Sequence, residues 1–353
     1  MVTDTADIPY SEDSILAVRG MNVDISVPAG TLHAVTNSAF HVKQGETLCI
    51  VGESGCGKSI TSLAVMGLLP ANATVTADVL KFEGRDLLSM SQKQLSELRG
   101  NRMGMIFQDP MTSLNPVYTI GNQMQEIYVR HGKGNAQQAK DRAIYLLEKV
   151  GITAAESRLG QYPHQLSGGL RQRVMIAMML MNDPVLIIAD EPTTALDVTI
   201  QAQILHLLAD LQKEFNMALI LITHDLGVVA RIADRVAVMY AGYMVETGSS
   251  DEVFNAPMHP YTQGLIDCIP IPGKTERGAQ LGSIPGIVPA LVGDQEGCMF
   301  RSRCDYAMEK CAVGDVPRQA LGEMRGYRCV IGPEQAEANL QASRAKAAVA
   351  AGE

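Results

Sequence analysis

The chain has 353 residues, enough for about two domains and a sizeable core. Hydrophobic residues make up 46% and charged residues 19%, as in a globular protein, and a net charge of −9 argues against a nucleic-acid-binding surface. No stretch approaches the ~20 uninterrupted apolar residues of a membrane span, and the acidic start lacks a signal-peptide pattern, so a cytoplasmic location is expected.

In chain order, residues 15–50 read as short strands: Ile15–Val18, Met21–Val27, Leu32–Val35 and Ala39–Val42. Gly30 and Gln44-Gly45 punctuate them, which predicts a small antiparallel sheet. Leu48 to Val51 is an apolar run of the kind a buried parallel strand shows. It enters Gly52-x-x-x-x-Gly57-Lys58-Ser59, and a helical stretch follows from Ile60 to Leu69. A strand pair is expected near Val75–Phe82, ending at Glu83-Gly84, and then a helix from Leu87 to Leu98. Ile106-Phe107-Gln108-Asp109-Pro110 ends a strand at a proline. From Ile120 to Gly151 the apolar spacing is helical. Ser167 is placed as the N-cap of a Met- and Ala-rich helix running to Met181. Pro184 to Glu191 is an apolar strand ending in two carboxylates. Thr199 to Phe215 is a helix, and Ala218 to Thr223 is a strand closed by His224-Asp225. Ala241-Gly242 marks a hairpin. Alternating strands and helices predict a mostly parallel α/β sheet. Residues 256–293, rich in Pro and Gly, read as an extended connector. Residues 294–332 hold four of the seven cysteines, and the Ala-rich tail is expected to fray.

The chemistry starts at the glycine-rich turn. The full P-loop pattern between strand and helix is poorly explained as a chance turn. Its glycines let backbone N–H groups converge on phosphate, aided by the helix N-terminus. Lys58 would reach the β- and γ-phosphates, and the Ser59 hydroxyl would ligate Mg²⁺. Asp190, at the end of a buried strand, suits the metal side, and Glu191 beside it can polarise an attacking water. Leu166-Ser167-Gly168-Gly169-Leu170 makes a second anion cradle at a helix start, more than one nucleotide in one chain needs.

From these motifs, in this order over roughly residues 15–255, the sequence resembles the ATP-binding subunits of ABC transporters. The resemblance implies a P-loop NTPase (RecA-like) α/β core, an antiparallel β subdomain and an α-helical subdomain at about 109–182, with a small Cys-rich C-terminal segment. It also implies two such subunits paired head-to-tail around two ATP molecules. Residue by residue, Gly52, Ser54, Gly55, Cys56, Gly57, Lys58, Ser59 and Ile60 match the ATP-binding loop. Ser59, Gln108 and Asp190 match the Mg²⁺ side. Ser167, Gly168 and Gly169 match the signature that reaches the partner's ATP, and Asp197 matches the dimer seam. Glu191, His224 and Gln108 match the catalytic positions. Leu170 stands where many members carry Gln. Ile25 occupies the usual adenine-stacking aromatic position, so an aliphatic contact is expected there. Cys56 lies near a helix N-terminus, which lowers a thiol pKa, so alkylation sensitivity is entertained against the plainer reading of a tolerated small residue.

Phe107 to Pro116, Tyr162 to Arg173, Ala189 to Val198 and Met258-His-Pro-Tyr-Thr-Gln-Gly-Leu265 resemble oligopeptide and dipeptide importers, in particular the subunit conventionally lettered D. That resemblance implies a homologous second ATPase, two permeases and an extracytoplasmic binding protein as partners. It places the chain on the cytoplasmic face of the membrane. Nickel, glutathione or a sugar-peptide conjugate remain alternative cargoes, and a soluble ABC ATPase is a more distant one. The extension is taken as 256–335 and the flexible tail as 336–353. Cys298, Cys304, Cys311 and Cys329 are separated by five, six and seventeen residues. Four thiols in a reducing compartment point to a Cys₄ metal site, a 4Fe–4S cluster before zinc, with plain buried thiols as the alternative.

Overall fold

The computed structural model describes residues 13–109, 113–194, 196–269, 283–293 and 295–350. Its centre is a parallel sheet of β3 (Thr47–Val51), β7 (Met103–Ile106), β8 (Leu186–Asp190), β9 (Ala218–Thr223) and β10 (Arg235–Tyr240), in the order β10-β3-β9-β8-β7. These strands are apolar throughout because both faces are covered. Along β3 the alternation is visible in the packing. Cys49 and Val51 join the core under the helices, whereas Leu48 and Ile50 join the core under the second sheet.

That second sheet is antiparallel. Its main strands, β1 (Ser14–Val27) and β2 (Gly30–Lys43), each merge two of the expected short strands across register shifts. β4 (Ala73–Thr76) and β5 (Val79–Phe82) pair with β1 rather than with each other, and β6 (Arg85–Asp86) follows β5. Helix α1 (Lys58–Met66) starts at the glycine-rich turn and packs between the sheets. α2 (Gln92–Leu98) is shorter than its apolar spacing predicted, because the Ser91 capping box fixes its start.

The helical region holds α3 (Ile120–Arg130), α4 (Ala136–Lys149), the short α5 (Ala155–Arg158) and α6 (Gly168–Met179). The helical stretch expected over 120–151 is broken between α3 and α4, where Gly132 adopts φ 67 and Asn135 caps the new start. α7 (Val198–Phe215) and α8 (Leu226–Ile232) complete the cover of the sheet. No helix among the described residues is long and apolar enough to cross a membrane.

The C-terminal extension continues the sheet. β11 (Tyr243–Ser249) turns back from β10 at Ala241-Gly242, and β13 (Gly326–Arg328) and β12 (Arg318–Ala320) add to its edge. The expected connector is not extended throughout. After α9 (Ser250–Asn255) its first part folds as α10 (Pro260–Asp267), its middle lies outside the described residues, and Leu291–Gly293 runs against β2. The tail expected to fray forms α11 (Pro333–Ala350). Ala, Glu and Gln favour helix and Pro333 suits its first turn. Ala336 is buried beside Met258 and Tyr327, and Arg344 donates to the Asn255 carbonyl at 2.6 Å.

Glu246 of β11 is buried at this seam, accepting the backbone N–H groups of Met258 (2.8 Å) and His259 (2.9 Å). Burial raises its carboxyl from 4.5 to about 7 and lowers His259 from 6.5 to about 3. The raised carboxyl gives stability that is full below 4.5 and is lost as pH rises through about 7. The depressed imidazole gives stability that is full above 6.5 and is lost as pH falls through about 3. Between pH 4.5 and 6.5 the two oppose each other. Glu246→Gln is therefore expected to lose thermal stability more steeply than the parent on acidification from pH 6.5 to 4.5. Equal slopes by calorimetry would overturn this assignment.

Candidate functional site

The site lies at the C-terminal ends of β3, β7, β8 and β9, where backbone leaves the sheet and side chains converge. Leaving β3, Gly52 adopts φ 153, and a Cβ there would sit 2.2 Å from the Met239 carbonyl. Gly57, with φ 103, would place one 2.5 Å from the Ala34 carbonyl. No side chain fits at either position, so the loop can close only with glycine. Lys58 is buried and its Nζ donates to the carbonyls of Gly52 (2.9 Å) and Glu53 (3.0 Å). Ser54 and Gly55 are exposed at the mouth of the loop.

Ser59 Oγ, in the first turn of α1, donates to Asp190 Oδ1 at 2.9 Å. Burial holds the Asp190 carboxyl above its usual range, against the pull of that hydrogen bond. Two adjacent hard oxygen donors fit Mg²⁺. Glu191, one residue beyond β8, adopts φ 44, with its N–H tied to the Ile222 carbonyl at 2.9 Å. Gln108 Nε2 (3.0 Å) and Thr194 Oγ1 (3.0 Å) donate to its Oε2, and His224 Nδ1 lies 3.7 Å from the same oxygen. Lys58 Nζ is 3.9 Å from Oε1. A carboxylate fixed this tightly beside a cation, next to a loop built for phosphate, can orient a water.

A cavity of about 310 Å³ joins the loop to Gln108 and Glu191, while Asp190, Thr194 and His224 do not line it. Its walls include Ser54, Gly55, Gly57, Lys58, Ser59, Ile60, Gln108 and Glu191, with Ile25 on the side of the antiparallel sheet. Pro289, Ala290 and Leu291 also line it, although no local pattern marks them as site residues. Leu291 is brought in by its carbonyl, which accepts the His33 N–H at 2.9 Å. Thr194 is a further site residue without a sequence signal, since a threonine in a turn carries none of its own.

Ser167, Gly168 and Gly169 do not line this cavity. Ser167 is exposed and caps α6, accepting the Leu170 N–H at 3.4 Å. Gly168 and Gly169 face Leu196 and Ile200 at the start of α7. Asp197 caps α7 and is exposed, beside Val198, an apolar residue left 81% exposed. Pro110 to Thr112 and Ala195, from two of the quoted motifs, lie outside the described residues.

Of the two readings of Cys56 the plainer one, a tolerated small residue, stands, and one expectation is corrected. Cys56 is fully buried, and burial raises its thiol pKa despite the nearby Lys58. The helix N-terminus cannot activate a thiol shut away from water. The four C-terminal cysteines are not a formed metal centre either. Among the described residues no group of three or more His, Cys, Asp or Glu side chains could hold a metal ion. The thiols are nevertheless neighbours. The Cys298 N–H donates to the Cys311 carbonyl at 2.8 Å. Burial first, and the other three cysteines in addition, push Cys304 up to about 12.

Fold and site together define an ATP-binding cassette of the ABC type. Residues 35–194 match the family model described as ABC transporter, and residues 245–311 match the oligopeptide/dipeptide transporter C-terminal region. Among curated relatives, the dipeptide transport ATP-binding protein DppD of Escherichia coli is 48% identical over 316 residues, 90% of this chain and 96% of that protein. The oligopeptide transport ATP-binding protein OppD of Bacillus subtilis is 51% identical over 296 residues, 84% of this chain and 82% of that one. Of solved structures, CbiO1 of Clostridium perfringens, part of an ABC transporter complex, superposes with a TM-score of 0.59 at 30% identity, covering 69% of this chain and 92% of CbiO1. The dimeric cassette MJ0796 bound to ADP and phosphate gives 0.58 at 26% identity, covering 67% of this chain and 98% of that chain. The chain belongs to the ABC transporter ATP-binding proteins of the oligopeptide/dipeptide branch.

A buried Cys56 has a consequence in solution. Iodoacetamide at neutral pH is expected to leave Cys56 unmodified in the folded protein, and mass mapping of the P-loop peptide checks this. Rapid labelling there without unfolding would contradict the burial.

Proposed function

We propose that this chain is the ATP-hydrolysing subunit of an importer of dipeptides or oligopeptides. The observation that carries the mechanism is Glu191, held by Gln108 and Thr194 within reach of Lys58 and His224, at the edge of the phosphate loop. ATP binds with its β- and γ-phosphates against the loop N–H groups and the Lys58 ammonium. Ser59, Asp190 and Gln108 would hold Mg²⁺, which when bound would offset the phosphate charge. Glu191 orients the attacking water, and His224, whose side chain is 66% exposed, turns toward the γ-phosphate.

The signature at Ser167 to Gly169, with Ser167 exposed and all three residues outside this cavity, supports a head-to-tail pair in which it covers the partner's ATP. Asp197 and the uncovered Val198 would lie on that seam. The partner is a homologous ATPase, and two permeases bind near Gln108. These permeases hold the chain at the cytoplasmic face and take peptide from an extracytoplasmic binding protein. Closure on ATP and release on hydrolysis then drive the permeases as an interface movement. Peptide cargo is supported by the names of the relatives and by the matched C-terminal region.

Cys298, Cys304, Cys311 and Cys329 carry no step of this cycle. Their donor chemistry suits an iron–sulfur cluster or zinc, which would require the thiols to draw together from their present positions. Iron, zinc and sulfide analysis on protein purified without oxygen tests this. Protein with neither metal would leave them as plain buried thiols.

Glu191→Gln is expected to keep MgATP binding and to lower turnover in the assembled transporter by at least about a hundredfold. Parent-like hydrolysis in that variant would sink the mechanism.

A further inference from the structure

The phosphate loop is held from behind by the C-terminal extension. Arg303 sits in a 3₁₀ turn, Arg301–Arg303, between Cys298 and Cys304. Its Nη1 donates to Glu53 Oε1 and its Nη2 to Glu53 Oε2, both at 3.0 Å, in the two-bond fork that guanidinium and carboxylate geometry favours. Glu53 is the second residue of the loop. The Arg303 side chain is only 4% exposed, and its other hydrogen bonds are made too. Nε donates to the Pro285 carbonyl (2.7 Å), Nη2 to the Ile284 carbonyl (3.1 Å) and Nη1 to the Tyr240 hydroxyl (3.4 Å). The rings of Tyr240 and Phe300 lie against the guanidinium.

The same loop residue is held at its other two polar groups. The Glu53 N–H donates to the Tyr261 hydroxyl of α10 at 2.9 Å, and the Glu53 carbonyl accepts from Lys58 Nζ at 3.0 Å. A chain of hydrogen bonds therefore runs from the extension, through Glu53, to the lysine. It is buried for most of its length, where such bonds are strong and a broken one is costly.

We propose that Arg303 is a positioning residue for ATP: through Glu53 it sets the loop carbonyl that orients Lys58, making the extension a structural part of the phosphate site. The inference rests on the reading of residues 52–59 as an ATP site. The turn bearing Arg303 ends at Cys304, one of the four C-terminal cysteines.

The test is MgATP affinity of the full chain by titration calorimetry, with the nucleotide-free thermal midpoint measured alongside. Arg303→Ala is expected to weaken MgATP about tenfold, and Arg303→Lys, which keeps the charge but loses the fork, by less. Glu53→Ala is expected to match Arg303→Ala, with the double variant no worse than either, because the pair acts as a unit. Tyr261→Phe, which removes only the hydroxyl, is expected to weaken binding about threefold. Parent-like affinity in Arg303→Ala, or losses that multiply in the double variant, would overturn the proposal. If Arg303→Ala does not fold, parent-like affinity in both Arg303→Lys and Tyr261→Phe would overturn it instead. Lys58→Ala separates the two levels: unchanged MgATP binding there refutes the ATP site itself, whereas lost binding there with an indifferent Arg303 refutes only the positioning role.

Discussion

Bare backbone against bare backbone is the constraint on which this molecule depends. A phosphate loop must turn its N–H groups inward while its carbonyls and α-carbons press against neighbouring chain. Gly52 meets the end of β10 and Gly57 meets β2, at distances that admit no side chain. Both neighbours must be held rigidly for that contact to persist. β3, flanked by β9 and β10 in the middle of the sheet and covered on both faces, supplies this rigidity. The two cores serve the same end, since each takes alternate residues of the strand that delivers the loop.

The acidic half of the site is built on the same plan but pays in strain. Glu191 takes a left-handed backbone conformation that a side chain disfavours, and it is fixed there by a hydrogen bond to the end of β9. The result is a carboxylate that leaves the sheet beside Asp190 yet points elsewhere. Asp190 is turned to Ser59, and Glu191 to Gln108, Thr194 and Lys58. Two neighbouring acids thereby acquire different surroundings and different chemistry.

Whatever is local was legible in the sequence. The P-loop, the apolar strands ending in Asp190 and Thr223, and the Ala241-Gly242 hairpin each carry their cause within a few residues. Boundaries were harder where a cap or a bulge decides them, as at Ser91 or within β1. The wall formed by Pro289 to Leu291 and the grip on Glu53 were not legible, because the partners lie more than 200 residues apart. The Ala-rich tail misled for the opposite reason: low complexity looked like looseness, whereas its helix propensity and one buried alanine dock it. For Cys56, the burial that outweighs helix-end electrostatics comes from distant parts of the chain and carries no local signal.

The place of β3 in the sheet also governs how the chain can be made. Leu48 pairs with Ile220 on one side and Arg235 on the other, so about 170 residues must follow β3 before its first neighbour exists. At ribosomal speeds of about 5–20 residues per second, that is a delay of roughly 9–35 s. Throughout it an apolar strand and its adjoining glycine loop have no sheet to join. Local elements such as the β1–β2 hairpin and the α3–α4 pair can form meanwhile, but the parallel sheet cannot. The nascent chain is most exposed to misassociation in that interval, and the extension that grips the loop emerges only after it has ended.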